Sequence, residues 1–278
     1  MLGQILMTVC TVILNAAPKV PPRAPEPVAV VFPESASVLL AEAPIPDGKM
    51  LVGAYNKLTG AGAALVADEK GGTRIALPGL GVASVRLEKS ALANAELAFK
   101  RGITSLISDE VLAPHVAQWV IDLVPDAGVA RLAAVDALAQ LATIACQQNA
   151  SAVGVYFAAG RVAQPATYVL AAARDKLPRG WLWVGFELGG TTAELHFASI
   201  GLAKAGLMEL ELVTQRRDVG AAIETFFQLV MLALGRDKDF PDGFAIARTD
   251  STPLAVKHVD GAAGAKLWRV DYVPAMSP

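Results

Sequence analysis

The residues with chemistry to offer are few. Glu209 and Glu211 stand one residue apart in LMELELV, and side chains two apart on a strand point to the same face. Two carboxylates so placed can divide acid and base roles or hold a divalent cation. His196 precedes them in ELHFASI, and His115 follows Pro114 at the mouth of an apolar run. Gathered by the fold, these imidazoles and acids would make a zinc site or a hydrolytic centre. The plainer expectation is that both glutamates face water while Leu210 and Leu212 point inward. On that reading His115 hydrogen-bonds the backbone near its strand, and His196 lies on a sheet surface opposite to Leu195 and Phe197. His115, His196, Glu209 and Glu211 are therefore the candidate binding residues. No catalytic residue, metal ligand or cofactor is assigned. Glu187 and Glu194, either side of Gly189-Gly190, carry the same two readings.

Local motifs add nothing to this set. His258, the third histidine, is as isolated as the others, and no HExxH, HxH or CxxC occurs. Ser199 in FASIG lacks the glycine two residues earlier that a nucleophile elbow needs. PGLGVAS neither matches a dinucleotide fingerprint nor leads into a phosphate-loop lysine. Asp237, Asp239 and Asp242 in DKDFPDG imitate a calcium loop, but the later glutamate is missing and Pro241 interrupts, so they read as a helix-ending turn.

The elements that must position these residues are written in an apolar chain. Its 278 residues are 54% hydrophobic and 18% charged, with only 6% aromatic, so small aliphatic side chains carry the core. A net charge of −2 and scattered Lys and Arg give no reason to bind nucleic acid. Cys10 and Cys146 are far apart in the chain. Cys146 sits in an Ala-rich helical stretch and reads as a small buried hydrophobe, in keeping with a reducing cytoplasm and no disulfide. Met1 to Asn15 is apolar but no positive charge precedes it, which argues against a signal peptide; it is too short to span a bilayer and reads as a first strand. Pro18 to Pro27 is a stiff connector.

Residues 28 to 88 read as β throughout, with a hairpin of 28–32 and 36–42 and short strands near 63–67, 74–77 and 82–87. A helix is expected over 90–100. A strand covered on both faces follows at 116–124, then a long helix over 129–149, a strand at 151–157 and a helix at 165–175 opened by Pro165. The central stretch, Trp181 to Val213, predicts three inner strands at 182–187, 192–199 and 207–213. Asp218 caps a helix over 219–234, and strands near 244–247, 255–258 and 267–272 end the chain. The expectation is an α+β fold: a mixed, largely antiparallel sheet packed with a few helices. It forms a single domain over 1–278, with room for two similar α/β halves meeting near 160–180.

Several fragments, in order, resemble a known family. APIPDGKM, LAPHVAQWVIDL, ASAVGVYF, LPRGWLWVGFE, FASIGLAKAGLMELELV and FPDGFAIAR are similar to a bacterial family known as domain of unknown function 4261. The resemblance spans about Val28 to Val273. It implies a bacterial origin, and the family brings no activity or catalytic residue. The functional expectation is a cytoplasmic interaction or scaffold protein, not an enzyme, that binds a protein partner or itself and neither binds nucleic acid nor spans a membrane. The alternative is a small-molecule hydrolase or metal-dependent enzyme using His115 or His196 with Glu209 and Glu211.

Overall fold

A computed structural model describes residues 34–67, 72–107, 110–175, 180–236, 238–246, 253–261 and 265–272. The expected first strand, the proline connector, the strand at 28–32, Cys10 and Asp237 lie outside these residues. The fold is α+β, with helices and two largely antiparallel sheets in place of the one expected. The chain divides into two compact units. The described part of the first is 34–105 and 110–184; that of the second is 185–272, with Leu106 and Ile107 grouped with it.

The first unit contains β1 (Glu34–Leu40), α1 (Gly48–Thr59), β2 (Ala64–Val66), β3 (Thr73–Leu77), β4 (Gly81–Glu88), β5 (Ala117–Pro125), α2 (Arg131–Gln147), β6 (Ala152–Phe157), β7 (Val162–Pro165) and α3 (Ala166–Arg174). Its seven strands lie in the order β2-β3-β4-β5-β1-β6-β7, every neighbour antiparallel. The earliest of the described strands is thus inserted between β5 and β6. Its residues Val38, Leu39 and Leu40 are fully buried, as an inner strand with apolar side chains on both faces requires. α2 packs on β1, β5 and β6. Alanines at 134, 137, 139, 142 and 145 are all buried, and such small side chains let the helix axis come close to the sheet. At the β3–β4 turn Gly81 has φ of 135°, and a Cβ there would stand 2.2 Å from the Val124 carbonyl oxygen, so only glycine fits.

Three local expectations fail here for identifiable reasons. α1 interrupts the stretch read as all β. Its start is set by Asp47, whose carboxylate accepts from the Lys49 and Met50 amides at 2.9 and 3.1 Å, a cap that contributes about 1 kcal/mol. Leu51 and Tyr55 form its buried stripe, and Gly60 ends it in the left-handed conformation. The helix expected over 90–100 shrinks to the single turn Ala95–Phe99, because Asn94 adopts a left-handed φ of 58°. Pro165 ends β7 with ψ of 146° and stands just before α3, not inside it.

The central stretch is divided between the units. Gly180–Trp183 forms a helical turn whose Leu182 and Trp183 are buried, and the Trp183 indole N–H donates to Asp136 of α2 at 3.2 Å. The strand read as starting at Leu182 therefore begins only at Gly185. An apolar run this short does not distinguish helix from strand.

The second unit holds β8 (Gly185–Gly190), β9 (Glu194–Ile200), β10 (Glu209–Gln215), α4 (Val219–Arg236), β11 (Ala245–Ile246), β12 (Leu254–Asp260) and β13 (Lys266–Asp271). The order is β11-β12-β13-β10-β9-β8. The three strands of the central stretch are neighbours as expected, but β8 is an edge strand, not an inner one. β10 and β13 run parallel while the other pairs are antiparallel. One face is covered by α4, whose Phe226 and Phe227 meet Phe186 at ring-centroid distances of 6.3 and 5.8 Å, with Phe197 5.9 Å from Phe226. By length and composition alone the segment Arg216–Arg236 could cross a bilayer; half of its most apolar stretch is buried in the fold.

Candidate functional site

Glu209 and Glu211 open β10, and the structure gives them different work. The Glu209 carboxylate is enclosed by the loop that follows β9. Ser199 Oγ donates to its Oε2 at 2.5 Å, Gly201 and Ala203 amides donate to Oε1 at 2.8 and 3.0 Å, and the Leu202 amide donates to Oε2 at 3.3 Å. Ser199 Oγ in turn accepts from the Leu210 amide at 2.7 Å. The carboxylate thus serves the amides of the 3₁₀ turn Leu202–Ala205, as an acid does at any helix start. Burial raises its pKa above the usual carboxylate value, an effect the Ser199 hydroxyl and the three amides partly offset. The expectation that Glu209 points only at water is corrected: its carboxylate holds the turn of 201–206, while the residue stays partly exposed.

Glu211 lies on the open face. Its Oε1 is 3.0 Å from His196 Nδ1 on β9, and its Oε2 is 3.7 Å from Arg269 Nη1 on β13. Arg269 Nε also donates to Asp271 at 3.1 Å, and Asp271 accepts from Lys257 Nζ on β12 at 2.9 Å. The Lys257 and Arg269 cations hold the Asp271 carboxyl below the usual carboxylate range. A line of polar contacts therefore crosses four strands from His196 to Lys257, with opposite charges alternating from Glu211 onward. Cross-strand pairs of this kind contribute about 0.2–1 kcal/mol each. Of the four candidate residues, His196 and Glu211 are brought into contact.

The remaining candidates are occupied separately. His115, in the first unit, accepts the Leu92 amide at Nε2, 2.8 Å away. Burial lowers its pKa, partly offset by a backbone bond at Ala113. His258 Nε2 donates to the Phe240 carbonyl at 2.7 Å. Asp239 and Asp242 accept the Met208 and His258 amides, each at 2.8 Å, so the imitation calcium loop is tied down by its own acids. Glu187 and Glu194 are exposed. Among the described residues no group of three or more His, Cys, Asp or Glu is placed to hold a metal ion.

No known protein family, curated protein or solved structure matches the chain. Function has to be argued from the described residues themselves.

One feature of the surface has no counterpart among the candidates chosen from sequence. A shallow cleft beside β2 is lined by Ile45, Asp47, Lys49, Leu65, Val66 and Arg74 among others. Ile45 is 84% exposed, Leu65 45% and Val66 38%. β2 is an edge strand with no residue buried. Edges are ordinarily blunted by shortness, charge, proline or a bulge; Ala-Leu-Val is short, at three residues, but has none of the others. The signal in the sequence was an apolar triplet between glycine-rich segments, which cannot be told from a buried strand without its neighbours.

Proposed function

We propose that this is a non-enzymatic interaction protein, a scaffold or accessory to a larger bacterial cytoplasmic system, that engages a protein partner through the β2 edge. The observation that carries the reading is the Ala64–Val66 edge, an apolar strand with all three residues exposed, with Ile45 exposed near it. Exposed apolar surface framed by polar residues is how protein-binding sites present themselves. Support also comes from the candidate acids and imidazoles: Glu209, His115 and His258 are each spent on backbone groups of the fold.

A photo-crosslinking residue placed at Leu65 tests this in extract from the source cells, with one at exposed Glu224 on α4 as control. A discrete adduct at 65, absent at 224, is the expected result. No adduct at 65 would remove the reading.

A second reading, a small-molecule hydrolase or metal-dependent enzyme, draws on the 3.0 Å contact of His196 with Glu211. Stoichiometric metal in the purified protein, lost in His196→Ala, would favour it over the first.

A further inference from the structure

Beyond the end of the β4–β5 ladder an imidazole holds the two chain segments together. Glu88 and Gln118 are the last register pair. A little further out, the Leu92 amide donates to His115 Nε2 at 2.8 Å. A ring nitrogen that accepts an amide must carry a lone pair, so the proton of the neutral ring is on Nδ1. There it serves the backbone at Ala113, the one bond that raises the ring's proton affinity.

Among the described residues little else holds the connection of 89–94. Gln118 Nε2 donates to the Ser90 carbonyl at 3.4 Å, long for a hydrogen bond. At the far end Asn94 adopts a left-handed φ of 58°, and its side chain makes no cap bond to the turn Ala95–Phe99. Lys89, Ser90, Ala91, Ala93 and Asn94 are exposed, and Leu92 is half-buried. Both ends are anchored, since β4 lies inside the sheet and Ala98 and Phe99 are buried. Movement is therefore confined to the connection itself.

We propose that His115 and the Leu92 amide form an acid-released latch, closed while the imidazole is neutral and opened when Nε2 takes a proton from solvent. That proton occupies the lone pair that held the amide. Two N–H donors then face each other and the bond breaks. The connection of 89–94 swings away from the entry to β5, while β1, β4 and β5 stay paired. The charged side chains on the segments that meet here are Glu88, Lys89, Glu96, Lys100, Glu110 and, beyond β1, Glu42. Glu88 is held by Arg86 and Glu96 by Lys100, Glu110 accepts from Thr167, and Lys89 and Glu42 are exposed. Burial, partly offset by the Ala113 bond, sets the ring's proton affinity, so the latch opens below the ordinary histidine midpoint.

Nuclear magnetic resonance on the whole chain tests this. At neutral pH the ring nitrogens are expected to report a proton on Nδ1 and a bare Nε2. As pH falls, the Leu92 amide shift should follow the imidazole's own midpoint. Protection of that amide from hydrogen exchange, relative to unstructured chain, should drop about tenfold for each pH unit below the midpoint. The Val38 amide on β1 should keep its protection. In His115→Gln, whose side-chain carbonyl can accept the amide but takes no proton, the pH dependence at Leu92 should vanish. The latch is overturned by a proton resting on Nε2 at neutral pH, by a Leu92 amide indifferent to the imidazole's titration, or by a dependence that survives His115→Gln. Loss of protection at Val38 together with Leu92 also overturns it, since that is unfolding of the whole unit and not release of one connection.

Discussion

The two units begin alike and finish differently. In each, three sequential antiparallel strands lead into a long helix: β3-β4-β5 into α2, and β8-β9-β10 into α4. After the helix the first unit returns with β6, which runs parallel to β5 but at one remove, because β1 lies between them. In the second, β13 pairs directly with β10 in parallel. The cores differ to match. The first packs an alanine helix against fully buried valines and leucines, with its aromatics Tyr55, Trp119, Phe157 and Trp183 dispersed through the chain, while the second gathers Phe186, Phe197, Phe226 and Phe227 into one cluster. A shared local pattern is thus compatible with two sheets, and what completes each sheet is set by which strand is at hand to fill the place beside the third.

The sharpest way to probe this contrast is at the packing of the two helices. Phe226→Ala should cost about 3–5 kcal/mol in urea unfolding, the range for losing a buried ring. The alanine helix should resist enlargement instead: Ala142→Leu is expected to cost about 1–3 kcal/mol by overpacking. A mild effect of Phe226→Ala would mean that the phenylalanines of the second unit are loosely arranged.

Carboxylates separate the units next. Glu209→Ala leaves three amides and the Ser199 hydroxyl without their acceptor and should cost about 2–3 kcal/mol, with Glu209→Gln recovering part of it. In the first unit Asp122 pairs with Arg86, which is half exposed, so Asp122→Ala should cost no more than about 1 kcal/mol. Equal costs would remove the distinction between a cap holding four donors and a surface pair.

Acidification should pull on the two units in opposite directions. His115 has a folded pKa below its ordinary 6.5, so the unfolded chain takes up the proton first and stability is lost as pH falls below that value. Glu209 has a folded pKa above its ordinary 4.5. There the folded chain holds the proton first, so this group's contribution grows as pH falls through the folded value and is complete below 4.5. Difference curves of unfolding free energy against pH, wild type minus His115→Gln and wild type minus Glu209→Gln, should slope in opposite senses. Curves of the same sign would show that one assignment of burial is wrong.

The smallest effect is a silence. Burial raises the Cys146 thiol to about 12, so a disulfide reagent should leave it unmodified until the chain is unfolded. Prompt reaction in native buffer would mean that α2 opens readily.

Much of the fold was legible because its signals are local. Cys146 and the buried alanines lie on one long helix that the pattern over 129–149 announced, and β5, β6, β9 and β10 fall within a residue or two of their expected positions. α1 was hidden because its apolar residues are interrupted by Gly53 and only two of them, Leu51 and Tyr55, are buried. Of the candidate site, the shared strand of Glu209 and Glu211 could be read from their spacing. That the Glu209 carboxylate would be taken up by a turn could not, since its donors lie on Ser199 and the loop behind it.

The amino-acid sequence by itself determined the class of fold, most strands and helices, and the absence of any recognised local catalytic motif, because periodicity, caps and motif spacing are properties of neighbours in the chain. Only the tertiary structure decided that β1 sits between β5 and β6, that Trp183 belongs to one unit and Gly185 to the other, and that the Glu209 carboxylate is tied into a turn while Leu65 is exposed. Each of those depends on which distant segment lies alongside, and burial is a property of that company, not of the residue.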